Sequence, residues 1–246
     1  MRYFIKLSFR GTRFHGWQFQ PNARTVQEEL EHVLSLIFRE KICLTGAGRT
    51  DSGVHAILFY AHFDTLLAIA NPQELVRKIN SFVDKDIAIH SIFQVPDDLH
   101  ARFSAVSRTY QYRVHLNKNP FISDFSCRLF FVPDFELMNA AAIILMEYQD
   151  FTSFSKLHTD TKTNICNVIQ AEWVEVDNEF VFVVSADRFL RNMVRAIVGT
   201  LLEVGQHKIT LFEFKEIIEK KDRCYAGMSV PAHGLSLVDV TYPNFG

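Results

Sequence analysis

The chain carries one carboxylate set among glycines. In Gly46-Ala47-Gly48-Arg49-Thr50-Asp51-Ser52-Gly53-Val54-His55-Ala56, two glycines precede Asp51 and one follows it. Glycine lets backbone approach a ligand closely and permits bends that hold a neighbouring side chain at an unusual angle. On composition alone the same pattern also fits a tight connection whose aspartate bonds its own loop. A second segment runs from Asp187 to Gly199. At about 100° per residue it puts Arg188, Arg191, Asn192, Arg195 and Gly199 on one helix face, with Leu190, Met193, Val194, Ile197 and Leu201 opposite. A solvated arginine surface is the plain alternative, but Gly199 in line with the stripe implies that something packs closely against it. A third segment carries Arg102 and then Arg108-Thr109-Tyr110-Gln111-Tyr112-Arg113. On a strand, Val106, Arg108, Tyr110, Tyr112 and Val114 share a face. Cations interleaved with phenols suit phosphates beside a stacked base, and equally a tyrosine-rich strand packed under a helix.

Other chemistries lack their parts. None of the 10 histidines falls in an HxH or HExxH pair, and the four cysteines, Cys43, Cys127, Cys166 and Cys224, form no CxxC. Walker, Rossmann and GxSxG patterns are missing too. Carboxylate, phenol and guanidinium groups are left to act, with neither metal nor cofactor expected. The net charge of −2 gives no bulk attraction for nucleic acid, so an RNA site has to come from local clustering. The scattered thiols suit a reducing compartment. The first residues alternate without the long apolar core of a secretory leader, and no apolar run reaches membrane-spanning length. A soluble cytoplasmic protein is the expectation.

The elements that position these residues read as two successive βαββαβ units. In the first, Tyr3 to Phe9 is a strand. Thr25 with Glu28 forms a capping box for a helix burying Val26, Leu30, Val33, Leu34 and Ile37. Short and long strands follow over Ile42 to Thr45 and His55 to Phe63. Asn71-Pro72 starts a helix to about Phe82, and Ile87 to Val95 closes the unit. The second unit has a strand over Val106 to Leu116, a helix from Asp134 to about Glu147, and a hairpin of Ile165–Val176 with Phe180–Ala186 across Asp177-Asn178. Helices over Phe189 to Val204 and from Thr210, then a strand over Leu235 to Val240, complete it. The expectation is an α+β chain of two ferredoxin-like halves, residues 1–104 and 105–246, whose antiparallel-rich sheets join with helices on one face. Most of the 23 phenylalanines are read as packing. Such a fold fixes no function, although open sheets of this kind bind RNA.

Arg49 to Ala56 resembles the signature of the TruA family of tRNA pseudouridine synthases. The likeness extends along essentially the whole chain through His15-Gly16-Trp17-Gln18, Phe103-Ser104, the Arg108 to Tyr112 strand, Asp150 to Phe154, Phe189-Leu190, Met193 to Arg195, Gly199 to Gly205 and Pro231 to Leu235. The resemblance implies a pseudouridine synthase fold and isomerisation of uridine in the anticodon stem-loop of tRNA, at tRNA positions 38, 39 and 40. By motif, Asp51 becomes the nucleophile or base and Arg195 its salt-bridge partner. Arg49 displaces the target nucleotide, Tyr110 stacks on the flipped base, and Leu235 lines the uracil pocket. Arg102, Arg108, Arg188 and Arg191 are the further substrate contacts expected, and the family suggests a homodimer. Ser229 stands where the family often has Thr, and Asn192 where His is common. The alternative is a non-catalytic tandem RNA-binding module, which leaves the glycine-framed Asp51 without a purpose.

Overall fold

The structure, a computed structural model, describes residues 1–156 and 163–243. The chain divides into two compact units, Met1–Val106 with the segment from Leu237 on, and Ser107–Ser236.

The first unit runs β1 (Arg2–Phe9), α1 (Val26–Phe38), β2 (Thr45–Gly46), β3 (His55–Asp64), α2 (Pro72–Asn80) and β4 (Ile87–Val95). Strands β3 and β4 lie antiparallel on either side of β1, with Phe4 opposite both His62 and Phe93. This central position explains why Tyr3, Phe4 and Ile5 are all buried rather than alternating. Thr25 accepts from the Glu28 amide to cap α1, which buries Val26, Leu30, Val33 and Leu34 and leaves Ile37 half-buried. Asn71 caps α2 in the same way, with Pro72 at its first position.

The strand expected over Ile42 to Thr45 shrinks to Thr45–Gly46. Its backbone bonds to α1 instead: Ile42 N donates to Ser35 Oγ and Leu44 N to Glu31 Oε1, while Gln27 donates to the Leu44 carbonyl. Those side-chain partners replace a ladder, so the apolar residues anchor a coil.

The second unit holds β5 (Ser107–His115), β6 (Cys127–Arg128), α3 (Phe135–Ile144), β7 (Val168–Val176), β8 (Glu179–Ala186), α4 (Met193–Gly205) and α5 (Leu211–Glu219). Strand β8 lies antiparallel between β5 and β7. Asp177 and Asn178 both have positive φ, 53° and 64°, as a two-residue type I′ hairpin requires. Helix α3 packs on β7 and α4. The reciprocal capping box of Thr210 and Glu213 opens α5 as expected.

Three further boundaries differ from the sequence reading by three residues or more. The helix from Asp134 ends at Ile144 and tightens into a 3-10 turn through Glu147, and β7 starts at Val168. The helix expected from Phe189 begins only at Met193, because Asn192 sits in the left-handed region at φ 66°. Strand β6, parallel to the end of β5, was not expected from the sequence.

The last strand, β9 (Leu235–Thr241), lies beside β3, and its residues from Leu237 on belong to the first unit. Val106 N donates to Thr241 O, Tyr242 Oη donates to Ala101 O at 2.6 Å, and the Tyr242 ring meets Phe4 edge-on. A boundary at residue 104 or 105 does not contain this return. Phe4, Phe59 and Phe63 in one unit and Phe151, Phe154, Phe182 and Phe214 in the other are fully buried, while Phe103, Phe121, Phe130 and Phe212 are exposed.

Strand β3 also buries a histidine. The ring of His62 stacks on Phe4, and its Nδ1 accepts from Ala101 N. Burial, helped by the nearby charges of Arg2 and His100, pulls its pKa down to about 4. The unfolded chain therefore takes up this proton first. The stability is intact above the ordinary value of 6.5 and declines as pH falls from there toward about 4. His62→Gln, which keeps an acceptor for Ala101, should flatten the acid decline of Tm across that window. An unchanged slope would remove His62 as its source.

Candidate active site

In the first unit the residues around Asp51 form the loop 47–54 between β2 and β3, and the segment following β1 braces it. Gly53 N and Ser52 Oγ both donate to the Phe14 carbonyl, and Val54 N closes a turn on the Asp51 carbonyl. Gly11 N donates to Nδ1 of His55, which is buried, so the neutral ring carries its proton on Nε2. Two glycines make the approach possible. A methyl on Gly11 would collide with the Val54 carbonyl oxygen. Gly16, at φ +84°, passes the Thr50 carbonyl just as closely. Behind them the Trp17 ring packs on Phe59 at 4.3 Å and covers Gly46.

This brace leaves Asp51 half-buried and Arg49 exposed on a fixed loop. Thr50 between them is 9% exposed, and its hydroxyl has no hydrogen-bond partner among the described residues. Arg102 is exposed, with its guanidinium over the Phe103 ring. Arg13 is held by Asp84 and Asp86, and Arg24 by Asp84 and Glu29.

In the second unit Tyr110, nine-tenths buried on β5, meets Phe189 edge-on at 5.1 Å. Arg108 donates to the Asp187 carbonyl at 2.8 Å, tying β5 to the segment that carries Phe189. The Asp187 carboxylate accepts from the amides of Asn167 and Arg188 and fixes the same bend.

The five-residue helical stripe does not exist as such. Arg188 and Arg191 lie on the bend before α4, half-buried and exposed respectively, and only Arg195 and Gly199 are on the helix. The close packing expected at Gly199 is present, but its partner is this chain's own segment 227–235. A Cβ at Gly199 would strike the Met228 carbonyl oxygen. Gly227 N donates to Thr200 Oγ1, Asn192 Nδ2 to Ser229 Oγ, and Arg195 Nε to Val230 O at 2.8 Å, with Val230 N donating back to Arg195 O. Asn192 and Ser229, the two positions singled out where the resemblance is less complete, are thus partners of one hydrogen bond at 2.6 Å. Leu235 follows this segment, buried at the start of β9.

Sequence reasoning missed the bracing by Gly11, Phe14, Gly16 and His55, and the role of Tyr112 beneath Gly234. A glycine just after each of two aromatic-rich stretches is the signal that was available; which backbone each glycine must admit was not. Among the described residues, no group of three His, Cys, Asp or Glu side chains is placed to hold a metal, and no helix is long and apolar enough to cross a membrane.

A family model described as tRNA pseudouridine synthase matches residues 7–104 and 141–243. Curated relatives called tRNA pseudouridine synthase A are similar over nearly their full length. That of Parabacteroides distasonis is 53% identical over 242 residues, covering 98% of this chain and 96% of the relative. That of Bacteroides thetaiotaomicron is 51% identical, covering 98% and 91%. The more distant protein of Clostridium acetobutylicum is 40% identical, covering 97% and 98%.

The brace can be tested without substrate. Gly16→Ala should lower Tm and speed amide exchange at Gly53 and Val54, because a left-handed φ and a blocked carbonyl act together. Gly48→Ala, where a methyl meets nothing within 4 Å, should leave both unchanged. Equal behaviour of the two variants would refute the brace.

Proposed function

The chain belongs to the tRNA pseudouridine synthase family, and from that premise we propose that it isomerises uridine to pseudouridine in the anticodon stem-loop, at tRNA positions 38, 39 and 40, with Asp51 as the reacting carboxylate. The observation that carries the assignment to Asp51 is its loop. It is the one carboxylate set among glycines, half-buried, and held by a second backbone segment that tolerates no side chain at Gly11 or Gly16. A reacting group needs such fixed orientation more than it needs a special environment.

The reaction breaks the N1–C1′ bond, turns the uracil and joins C5 to C1′. The proton leaving C5 is balanced by one gained at N1, so nothing is oxidised, reduced or hydrolysed. A carboxylate serves as nucleophile or as base. Arg195 is assigned to the carboxylate, since an opposite charge favours the ionised form and a guanidinium fork fixes its direction. Its Nε already bonds the Val230 carbonyl, which restricts how the fork turns.

The base must leave its stack first, at a cost of a few kcal/mol; stacking on Tyr110, about 1–3 kcal/mol, offsets part of it. The edge-on contact with Phe189 holds the Tyr110 ring for that purpose. Leu235 packs the uracil, and Arg49 enters the space the nucleotide leaves. Arg102, Arg108, Arg188 and Arg191 are assigned to the RNA, Arg108 acting through the Asp187 bend it braces. A cytoplasmic homodimer is the working form we infer, since pooling basic patches about a two-fold axis suits a chain of net charge −2.

Tritium release from tRNA carrying 5-tritiated uridine tests the reading. The wild type should release tritium in metal-free buffer without added cofactor, and Asp51→Asn should release none while its Kd for tRNA stays within about threefold, as expected for a group that reacts rather than binds. Parallel loss of binding and release would remove Asp51 from the chemistry. A tRNA-binding wild type that releases nothing would make the chain a binding module. Separately, Arg191→Ala should weaken tRNA binding and lower the salt slope by roughly one contact; an unchanged slope would return Arg191 to the solvent.

A further inference from the structure

Segment 227–235 is laid along α4 by contacts from Asn192, Arg195, Gly199 and Thr200, yet these hold only its first half, as far as Val230. The second half, which delivers Leu235 to the start of β9, lies on Tyr112. Tyr112 is fully buried, and its hydroxyl donates to the Pro231 carbonyl at 3.0 Å. Its ring lies directly under the 3-10 turn Ala232–Gly234: a Cβ on Gly234 would come within 2.8 Å of Tyr112 Cζ and 3.0 Å of the Arg113 carbonyl. The phenol oxygen also meets the Cys127 thiol of β6.

We propose that Tyr112 is a positioning residue for the isomerisation, holding the 231–235 turn so that Leu235 and Arg195 present themselves to the uracil and the carboxylate in one fixed register. This rests on the roles given above to Leu235 and Arg195. Three features argue for placement rather than general packing. The hydroxyl bonds a main-chain carbonyl of the turn itself, not a distant part of the core. The turn needs a glycine where it crosses the ring, so ring and turn fit only in contact. Val230, which bonds Arg195 through both its amide and its carbonyl, directly precedes Pro231, so a shift of the turn is passed to the guanidinium through a single peptide. Burial raises the Tyr112 pKa far above its ordinary value. With its hydroxyl donating to the Pro231 carbonyl, Tyr112 thus serves as a donor to the turn.

The test is Tyr112→Phe, which keeps the ring and removes the donor, assayed by tritium release from tRNA over a range of pH. We expect kcat to fall roughly tenfold, the equivalent of about 1.4 kcal/mol, with KM and tRNA Kd unchanged within twofold and both limbs of the pH profile unmoved. Gly234→Ala, which lifts the turn off the ring from the other side, should give the same split. The double variant should be no worse than the poorer single one, because both act through one displacement. An unaltered kcat, or a fall that only follows the folded fraction measured by circular dichroism, would overturn the proposal and leave Tyr112 as packing. A moved pH limb would overturn it too, by making Tyr112 a proton-transfer group. If the wild type itself releases no tritium, the synthase reading and this proposal fall together; if it is active and Tyr112→Phe is not slowed, the proposal falls alone.

Discussion

The Gly16 backbone passes the Thr50 carbonyl at a distance that admits no Cβ, and the arrangement of the first unit's candidate site follows from that contact. The approach requires a left-handed φ at Gly16 and an open side at Gly11, and in return the loop acquires bonds from Gly53 and Ser52 to Phe14 and a buried anchor at His55. A flexible loop with the same residues would present Asp51 over a range of directions. Here the energy of several bonds and of the Trp17–Phe59 packing is concentrated behind one residue. This is how a site achieves orientation when it sits on a loop, since its rigidity has to come from a neighbouring segment.

The second unit solves the same problem with the same device. Gly199 lets the main chain of Met228 lie against α4, and Gly234 lets a turn lie against Tyr112. In both units backbone is pressed where no side chain fits, and hydrogen bonds to main-chain groups fix the register. Asn192 illustrates how tightly this is coupled. Its left-handed conformation ends the bend and starts α4, while its side chain reaches Ser229. Asn192 and Ser229 are thus joined, and a change at one alters the constraint on the other.

Much of this was legible in the sequence. The βαββαβ order of the first unit, the caps at Thr25, Asn71, Asp134 and Thr210, the hairpin at Asp177-Asn178 and the strand Ile87–Val95 all rest on local rules that tertiary structure did not override. The failures have a common cause. Ile42 and Leu44 look like strand residues, but side chains of α1 satisfy their backbone. Arg188 and Arg191 share a helical period with Arg195, but a single positive φ at Asn192 cuts the helix, and periodicity cannot register one residue's φ. Of the stripe, Asn192, Arg195 and Gly199 meet one partner, this chain's own segment 227–230. The pattern could not name it, because a spacing of 3.6 residues identifies a face without saying what covers it. The return of the last strand to the first unit is likewise a long-range pairing that no local pattern encodes.

Two phenols two residues apart on β5 show why residue type alone assigns no role. Tyr110 and Tyr112 point to the same side of the strand, and both are buried. Tyr112 spends its hydroxyl on a main-chain carbonyl, and burial keeps it protonated, so it is suited to hold structure and not to move a proton. Tyr110 instead lies against an aromatic edge on a bend braced by Arg108 and Asp187. A ring held by its edge on a braced bend is fixed in direction, which is what the stacking role proposed for Tyr110 requires. The difference comes from what each residue is packed against, two positions apart, and on it rest the separate roles proposed for the two rings.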